Sequence, residues 1–451
     1  MNELIFLLLM EICLFVIAFA LSGQDIMAPS VMMCSMFILS TSVALINHKN
    51  WQINYSLYAG LIIATGLFAF IIGEIFFRIC FCGQLRGRVI QENVSDKIYL
   101  IKGWKLNVLI ILTILVNVWN LLTIIQAVGF SMNLSSYFIA YRRLATSNLA
   151  KTGQSMNSGG LNLLLKVSMA SGYLCAFFLV NSIVYKSKNK IEKLKFILII
   201  VLSLLPSIMS GGRSGILRMV SAILIEYYIV WHQKYGWNRN LSWKYIQYAI
   251  AGLFIGIPLF YYSMPLIGRT LPQSMFAYVS EYLGSSIPLF DLYIKSPIEH
   301  TIAGEESLFS VIKVLHYLGL RAASTSYNLE FRYINNTLQS NVYTFFRRPL
   351  HDFGLIGMYI FTILVAFLFS WIYFKKIKYR DKTKTEFWVF LYGYLYYWMI
   401  SSSIIQYSVA YVSAGTVFIM FFTYLLYFFI LNPPKWKIGK FVIFFPRRKA
   451  V

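Results

Sequence analysis

The sequence predicts an all-α polytopic membrane protein of about eleven transmembrane helices, and three observations predict it. Hydrophobic residues fill 58% of the 451 positions and charged residues only 13%, with a mean hydropathy of +0.65. Apolar runs of about 20 residues, the length that crosses a bilayer as a helix, recur along the whole chain. Basic residues gather in alternate connections between those runs, as the positive-inside rule requires.

Taken in order, the spans fall near 3–22, 28–46, 54–77, 106–128, 161–184, 196–212, 214–231, 246–263, 353–374, 387–403 and 407–431. The first has Glu3 where a signal peptide carries lysine or arginine, although Ala18-Phe19-Ala20 weakly imitates a cleavage site, so it is read as a retained anchor. Basic loops fall at Arg78 to Lys105, Lys186 to Lys195, Lys234 to Lys244, Lys375 to Lys384 and Lys435 to Lys449. Strict alternation puts all five on one side, which sets the amino terminus outside and the carboxyl terminus in the cytoplasm. These loops also account for most of the net charge of +23, so nucleic acid is set aside as a partner and membrane lipid takes its place. Cys13, Cys34 and Cys175 lie in spans and Cys80 and Cys82 in an inner loop, leaving no outer cysteine pair to form a disulfide.

The chain reads as a single integral membrane domain over 1–451 with two longer outer segments, 129–160 and 264–352. The second has 89 residues with seven basic and seven acidic side chains, and a loop that long inside a compact protein is structured or functional. Leu308, Val311, Ile312, Leu315 and Leu318 stand at helical spacing ahead of Gly319, which predicts an amphipathic helix at the outer surface. No internal repeat, Gly-rich phosphate loop, zinc pattern or Gly-x-Ser-x-Gly elbow occurs.

Arginine is distributed unevenly. Nineteen of the 26 basic residues on the cytoplasmic side are lysine, whereas nine of the other 14 are arginine. Any positive charge resists translocation, but the planar guanidinium fork matches phosphate and carboxylate, so the outer face reads as built to hold an anion. Residues 210–218, Ser-Gly-Gly-Arg-Ser-Gly-Ile-Leu-Arg, follow Pro206 at the outer junction of the sixth and seventh spans. Arg213 stands at the start of the seventh helix, whose free amide groups and positive dipole end also favour an anion; its alternative is an interfacial charge snorkelling outward. Arg218 lies five residues on, about 7.5 Å deeper. An intramembrane arginine costs at least about 2.5 kcal/mol, and a structural pair with Glu11 or Glu74 is the competing explanation for it.

Tyr141-Arg142-Arg143 in the first outer loop reads either as an anion-binding pair or as an interfacial belt on lipid headgroups. The large loop supplies Arg269, Arg321, Arg332, Arg347 and Arg348, and as acid–base groups Glu281, Asp291, His300, Glu305, Glu306, His316, Glu330, His351 and Asp352. Solvated positions are expected for most of these carboxylates. His351-Asp352 stands out beside Arg347-Arg348 at the start of the ninth span, where Asp352 serves either as a base or as a helix N-cap. Tyr278, Tyr282, Tyr333 and Tyr343 are candidate sugar-stacking rings or interfacial anchors.

Three stretches resemble the Wzy-type oligosaccharide repeat unit polymerases: Ser-Gly-Gly-Arg-Ser-Gly at 210–215, Tyr-Arg at 141–142, and Asn341-Val342-Tyr343-Thr344 leading to Asp352-Phe353-Gly354 and Gly357. The plan of many spans with a large outer loop before the last three agrees along nearly the whole chain. The resemblance implies a GT-C-like glycosyltransferase of the bacterial cytoplasmic membrane. It would join undecaprenyl-pyrophosphate-linked oligosaccharides into O-antigen or capsular polysaccharide at the outer leaflet, without a metal or other cofactor, and with a chain-length regulator protein as a possible partner. His351 and Arg348 lie outside the matching stretches and enter on their own chemistry.

A polyprenyl pyrophosphate is already a stable leaving group, so the reaction needs positive charge rather than a general acid. Arg213 and Arg142 are the first choices for that charge, with Arg143, Arg269 and Arg348 in support. Direct attack by an acceptor hydroxyl needs a base on the opposite face, Asp352 or His351, and inverts the anomeric centre. The alternatives are an O-antigen ligase, which uses the same donor, and a lipid-linked oligosaccharide flippase, which predicts paired repeats and little outer domain.

Overall fold

The computed structural model describes residues 1–83, 99, 101–129, 136–144, 157–237, 247, 256, 258, 261–262, 264–265, 274–299, 302–322, 329–334, 338–379, 385–431, 435–438 and 441–444. The helices run in the order α1 (Asn2–Leu21), α2 (Pro29–Ile46), α3 (Leu57–Cys82), α4 (Gly103–Val128), α5 (Gly159–Val184), α6 (Lys190–Met209) and α7 (Ser214–Tyr235). They continue with α8 (Met275–Gly284), α9 (Ser286–Lys295), α10 (Phe309–Tyr317), α11 (Arg347–Ser370), α12 (Glu386–Ile400) and α13 (Ala414–Leu431). A hairpin of β1 (Arg332–Ile334) and β2 (Leu338–Ser340) pairs Tyr333 with Gln339. A further antiparallel pair joins Lys435–Ile438 to Phe441–Phe444.

Among the described residues, eight helices are long and apolar enough to cross a membrane: α1 to α5, α7, α13, and α11 with its π-helical continuation Trp371–Lys378. The protein is therefore an all-α polytopic membrane protein. The described residues fall short of the eleven expected spans. Helix α6 carries Lys190, Glu192, Lys193 and Lys195 in its first two turns, α12 has only 15 residues, and most of 246–263 lies outside the described residues. At the ninth expected span helix α11 opens at Arg347 but is broken at Gly354, whose φ of 67° and ψ of −171° are not helical, so its uninterrupted apolar stretch follows Gly354, beside the expected start at 353.

The chain forms two compact units, Met1–Gln91 with Gly236–Ala414 and Glu92–Tyr235 with Gly415–Val451. In the first, α1, α2 and α3 pack together and α11 runs along α3. Glycine permits that approach: a Cβ on Gly66 would sit 2.5 Å from the Phe346 ring, and one on Gly73 would sit 3.0 Å from the Ala366 Cβ. At one end of this unit Asp25 accepts from the Tyr373 hydroxyl at 2.7 Å and pairs with Lys378, while Arg78 donates to the Leu21 carbonyl at 2.7 Å. At the other end Asp291 pairs with Lys295 at 2.6 Å and accepts from Ser56, the N-cap of α3. Gly284 there packs against Val43 and Ala44 of α2. Gly60 of α3 meets Leu7 of α1, so the amino terminus lies at the end that carries α8 and α9. The described parts of the large segment, α8 and α9 among them, are thus folded onto the bundle.

In the second unit α5 packs on α6 and α7, and α4 on α6 and α5. A Cβ on Gly172 of α5 would sit 2.0 Å from the Ser203 hydroxyl, and Asn117 of α4 donates to the Leu202 carbonyl at 3.0 Å. Buried Lys105 donates to the Phe429 and Ile430 carbonyls and so caps the end of α13.

Candidate functional site

In the second unit the glycine-rich stretch is the turn between α6 and α7. The Gly212 amide donates to the Ser207 carbonyl at 2.8 Å, and the Ser207 hydroxyl donates to the Gly212 carbonyl at 3.1 Å. Gly211 holds a φ of 69°, a left-handed conformation that glycine adopts without a Cβ penalty. The absence of that Cβ matters twice, because it would stand 2.9 Å from the Cδ of Arg142. Arg142 lies along the turn and donates to the Gly211 carbonyl at 3.4 Å. The carbonyl of buried Arg213 accepts from the Ile216 and Leu217 amides and so opens α7. Arg142, bonded to the Gly211 carbonyl, and Arg213, whose carbonyl opens α7, therefore both lie at this turn, while neither lines the cavity beside it.

Beside that turn is a cavity of about 350 Å³, lined by Asn120 of α4, Tyr141 and Asn157, Asn162, Lys166 and Tyr173 of α5, Ser203 and Ser207 of α6, and Ser214, Arg218 and Met219 of α7. Its lining residues include two cations, several amides and hydroxyls, and no carboxylate. The Tyr141 hydroxyl donates to Asn157 at 3.1 Å, which ties the helical stretch 136–144 to the start of α5. Burial pushes the Tyr141 phenol above its usual titration range, so it remains a neutral donor. Arg218 thus faces a polar cavity. The acidic partners expected for it are engaged elsewhere: Glu11 accepts from Thr41 at 2.9 Å, and Glu74 accepts from the Ser30 amide at 2.9 Å, one turn before Arg78 on α3.

In the first unit the opening turns of α11 hold a buried ionic cluster. Arg347 donates to Glu306 at 2.7 Å and to Glu330 at 2.9 Å, and its guanidinium lies 3.8 Å from the centroid of Tyr293. Arg332 joins through Glu330 at 3.3 Å. Arg348 donates to the Glu306 carbonyl at 3.3 Å. His351 has Glu305 at 3.2 Å and Glu306 at 3.6 Å from Nε2, and the Tyr293 hydroxyl at 3.3 Å from Nδ1. Burial raises the Glu306 carboxyl above the ordinary range, opposed by the charges of Arg347, Arg348 and His351. The expectation of solvated carboxylates fails for Glu305, Glu306 and Asp291, all buried.

Asp352 accepts from the Glu306 amide at 3.1 Å and the Ser307 amide at 2.6 Å, one on each oxygen. Because α11 begins at Arg347, Asp352 lies in its second turn and is not its N-cap; it fastens the Glu306–Ser307 backbone to the helix. Of the tyrosines considered for stacking, Tyr278 and Tyr343 are buried in the core, and only Tyr282 and Tyr333 expose a face. Arg143 is exposed, and Arg269 lies outside the described residues, as do most positions of 129–160.

Sequence names Arg347, Glu306 and Glu330 only among the loop's many candidate groups, and does not pick out Lys166. The adjacent pairs Glu305-Glu306 and Arg347-Arg348 were the available signal, but nothing in the spacing shows that carboxylates 41 and 17 residues away close on one guanidinium. No family model, curated protein or solved structure matches the chain.

Proposed function

We propose that this protein is a polymerase that joins polyprenyl-pyrophosphate-linked oligosaccharide repeats, as the Wzy-type enzymes that its motifs resemble do. The observation that carries the reading is the cavity lined by Lys166 and Arg218 and by no carboxylate, next to the turn that carries Arg213 and holds Arg142 on the Gly211 carbonyl. Such a site suits a diphosphate joined to sugar. Guanidinium and ammonium groups offset the charge that develops on the departing pyrophosphate, and the amides and hydroxyls suit glycan hydroxyls. The eleven-span GT-C-like plan, the outward-facing amino terminus, the bacterial cytoplasmic membrane and the absence of a cofactor belong to the same proposal.

In the reaction an acceptor hydroxyl forms a bond to the anomeric carbon of the donor as the bond from that carbon to the pyrophosphate oxygen breaks. The hydroxyl proton leaves to a base and the centre inverts. The candidates for that base are His351 and Asp352, both in the first unit. With Glu305 on Nε2, the Nδ1 lone pair of His351 accepts from the Tyr293 hydroxyl, and both oxygens of Asp352 accept from backbone amides, so either group exchanges a partner to take the proton.

The test is polymerisation of one purified lipid-linked repeat by the reconstituted protein, with and without a chelator. Arg213→Ala is expected to lower the rate about 10²–10³-fold, the usual cost of removing one preorganised charge donor, and Arg213→Lys to restore only part of it. Long polymer made at normal rate by both variants overturns the role of Arg213. Transfer only to a lipid A-core acceptor would instead identify a ligase, and inward accumulation of single repeats after gene loss would identify a flippase.

A further inference from the structure

The amphipathic helix expected before Gly319 is present as α10: Leu308, Ile312 and Leu315 of its expected apolar face are buried or half-buried, while Val311 and Leu318 are exposed. Ile312 is buried, while Val314 is exposed and Tyr317, Leu318 and Leu320 are 86%, 65% and 71% exposed. This is no frayed end. The Ser310 hydroxyl donates to the Val409 carbonyl at 2.6 Å, the Leu320 amide to the Leu315 carbonyl at 2.9 Å, and Arg321 to the Ala303 carbonyl at 2.9 Å. Gly319, with a φ of 70°, reverses the chain so that Leu318 and Leu320 form a tip. A nine-residue helix is too short to persist by itself, and here its two ends are fastened so that the tip is presented.

We infer that this tip is seated in the headgroup region of the lipid leaflet that α11 enters. Position is the first argument. The Ser307 amide is bonded to Asp352, so α10 starts two residues from a point fixed to α11 just ahead of the Gly354 kink. Beyond the kink, Ile356, Ile360 and Leu364 form an exposed apolar stripe on a membrane-crossing helix, which marks the depth at which lipid begins. Charge is the second. Residues 307–329 contain no aspartate or glutamate, and exposed Lys313 and Arg321 flank the apolar tip. Leucines with a tyrosine ring, bordered by cations over lipid phosphates, are the composition of an element lying roughly 5–10 Å into the headgroup boundary. The occupant is thus phospholipid, not a second copy or another protein. The inference holds whichever reaction the protein performs.

The test places a diazirine-bearing amino acid singly at Leu318 and Leu320 in the full-length protein, irradiates native membranes and identifies the adducts by mass spectrometry. Ile356 serves as the lipid-facing reference and Glu299, exposed in the same segment, as the reference away from lipid. Phospholipid adducts at 318 and 320 at a yield comparable with 356 are expected. Adducts only to another polypeptide, or a yield as low as at 299, overturn the inference.

Discussion

Arg347 shows how a single side chain organises the first unit. It is fully buried, spans two carboxylates and lies on the Tyr293 ring, with Tyr343 at 5.4 Å behind it. Desolvating such ions is expensive, and removing one member strands the other. Arg347→Ala is expected to cost about 3–5 kcal/mol, the range for breaking a buried pair. Chemical unfolding in detergent reads the loss, and adding Glu306→Ala should recover part of it because the orphaned charge is then gone. A loss below about 1 kcal/mol, the scale of an exposed pair, contradicts the buried cluster. Residue types here were legible from sequence, since arginine beside arginine and glutamate beside glutamate at a helix entry is unusual. Their partnership was not, because charge pairing over long separations leaves no periodic trace.

At the level of elements, hydropathy located the helices well because in lipid a spanning segment must satisfy its backbone internally and be apolar throughout. The expected spans 196–212 and 387–403 are present as α6 and α12 but meet that condition only in part. Helix α6 begins with charges and α12 is short, and both are flanked by neighbouring helices that share the burden of burial. Hydropathy did not show which glycines matter. Gly66 and Gly73 are two among many in the sequence, yet the contact of α3 with α11 depends on them. Gly66→Ala is expected to destabilise by about 1–3 kcal/mol through overpacking against Phe346. Combined with Phe346→Leu, its effect should be clearly less than additive in thermal unfolding; strict additivity would mean that the two elements do not meet there. The turn at Gly211 was legible as a close approach of backbone, but that the approaching group is Arg142 was not.

For the whole molecule, alternation of basic loops implies one sidedness. In cells carrying single cysteines in a cysteine-free background, an impermeant maleimide is expected to label positions Gln52 and Glu299 directly and Lys186 only after permeabilisation. The reverse pattern would put the proposed anion-binding face in the cytosol and remove the proposed substrate. The arrangement of the first unit also bears on how it is made. Asp25 finds its hydroxyl and ammonium partners 348 and 353 residues further along the chain. The ribosome therefore releases the first three helices long before their electrostatic clasp exists, and the unit closes only when nearly the entire polypeptide has been synthesised. A truncation ahead of Tyr373 would leave the Asp25 carboxylate at that seam without these two partners, a less compensated charge at the end of the first three helices.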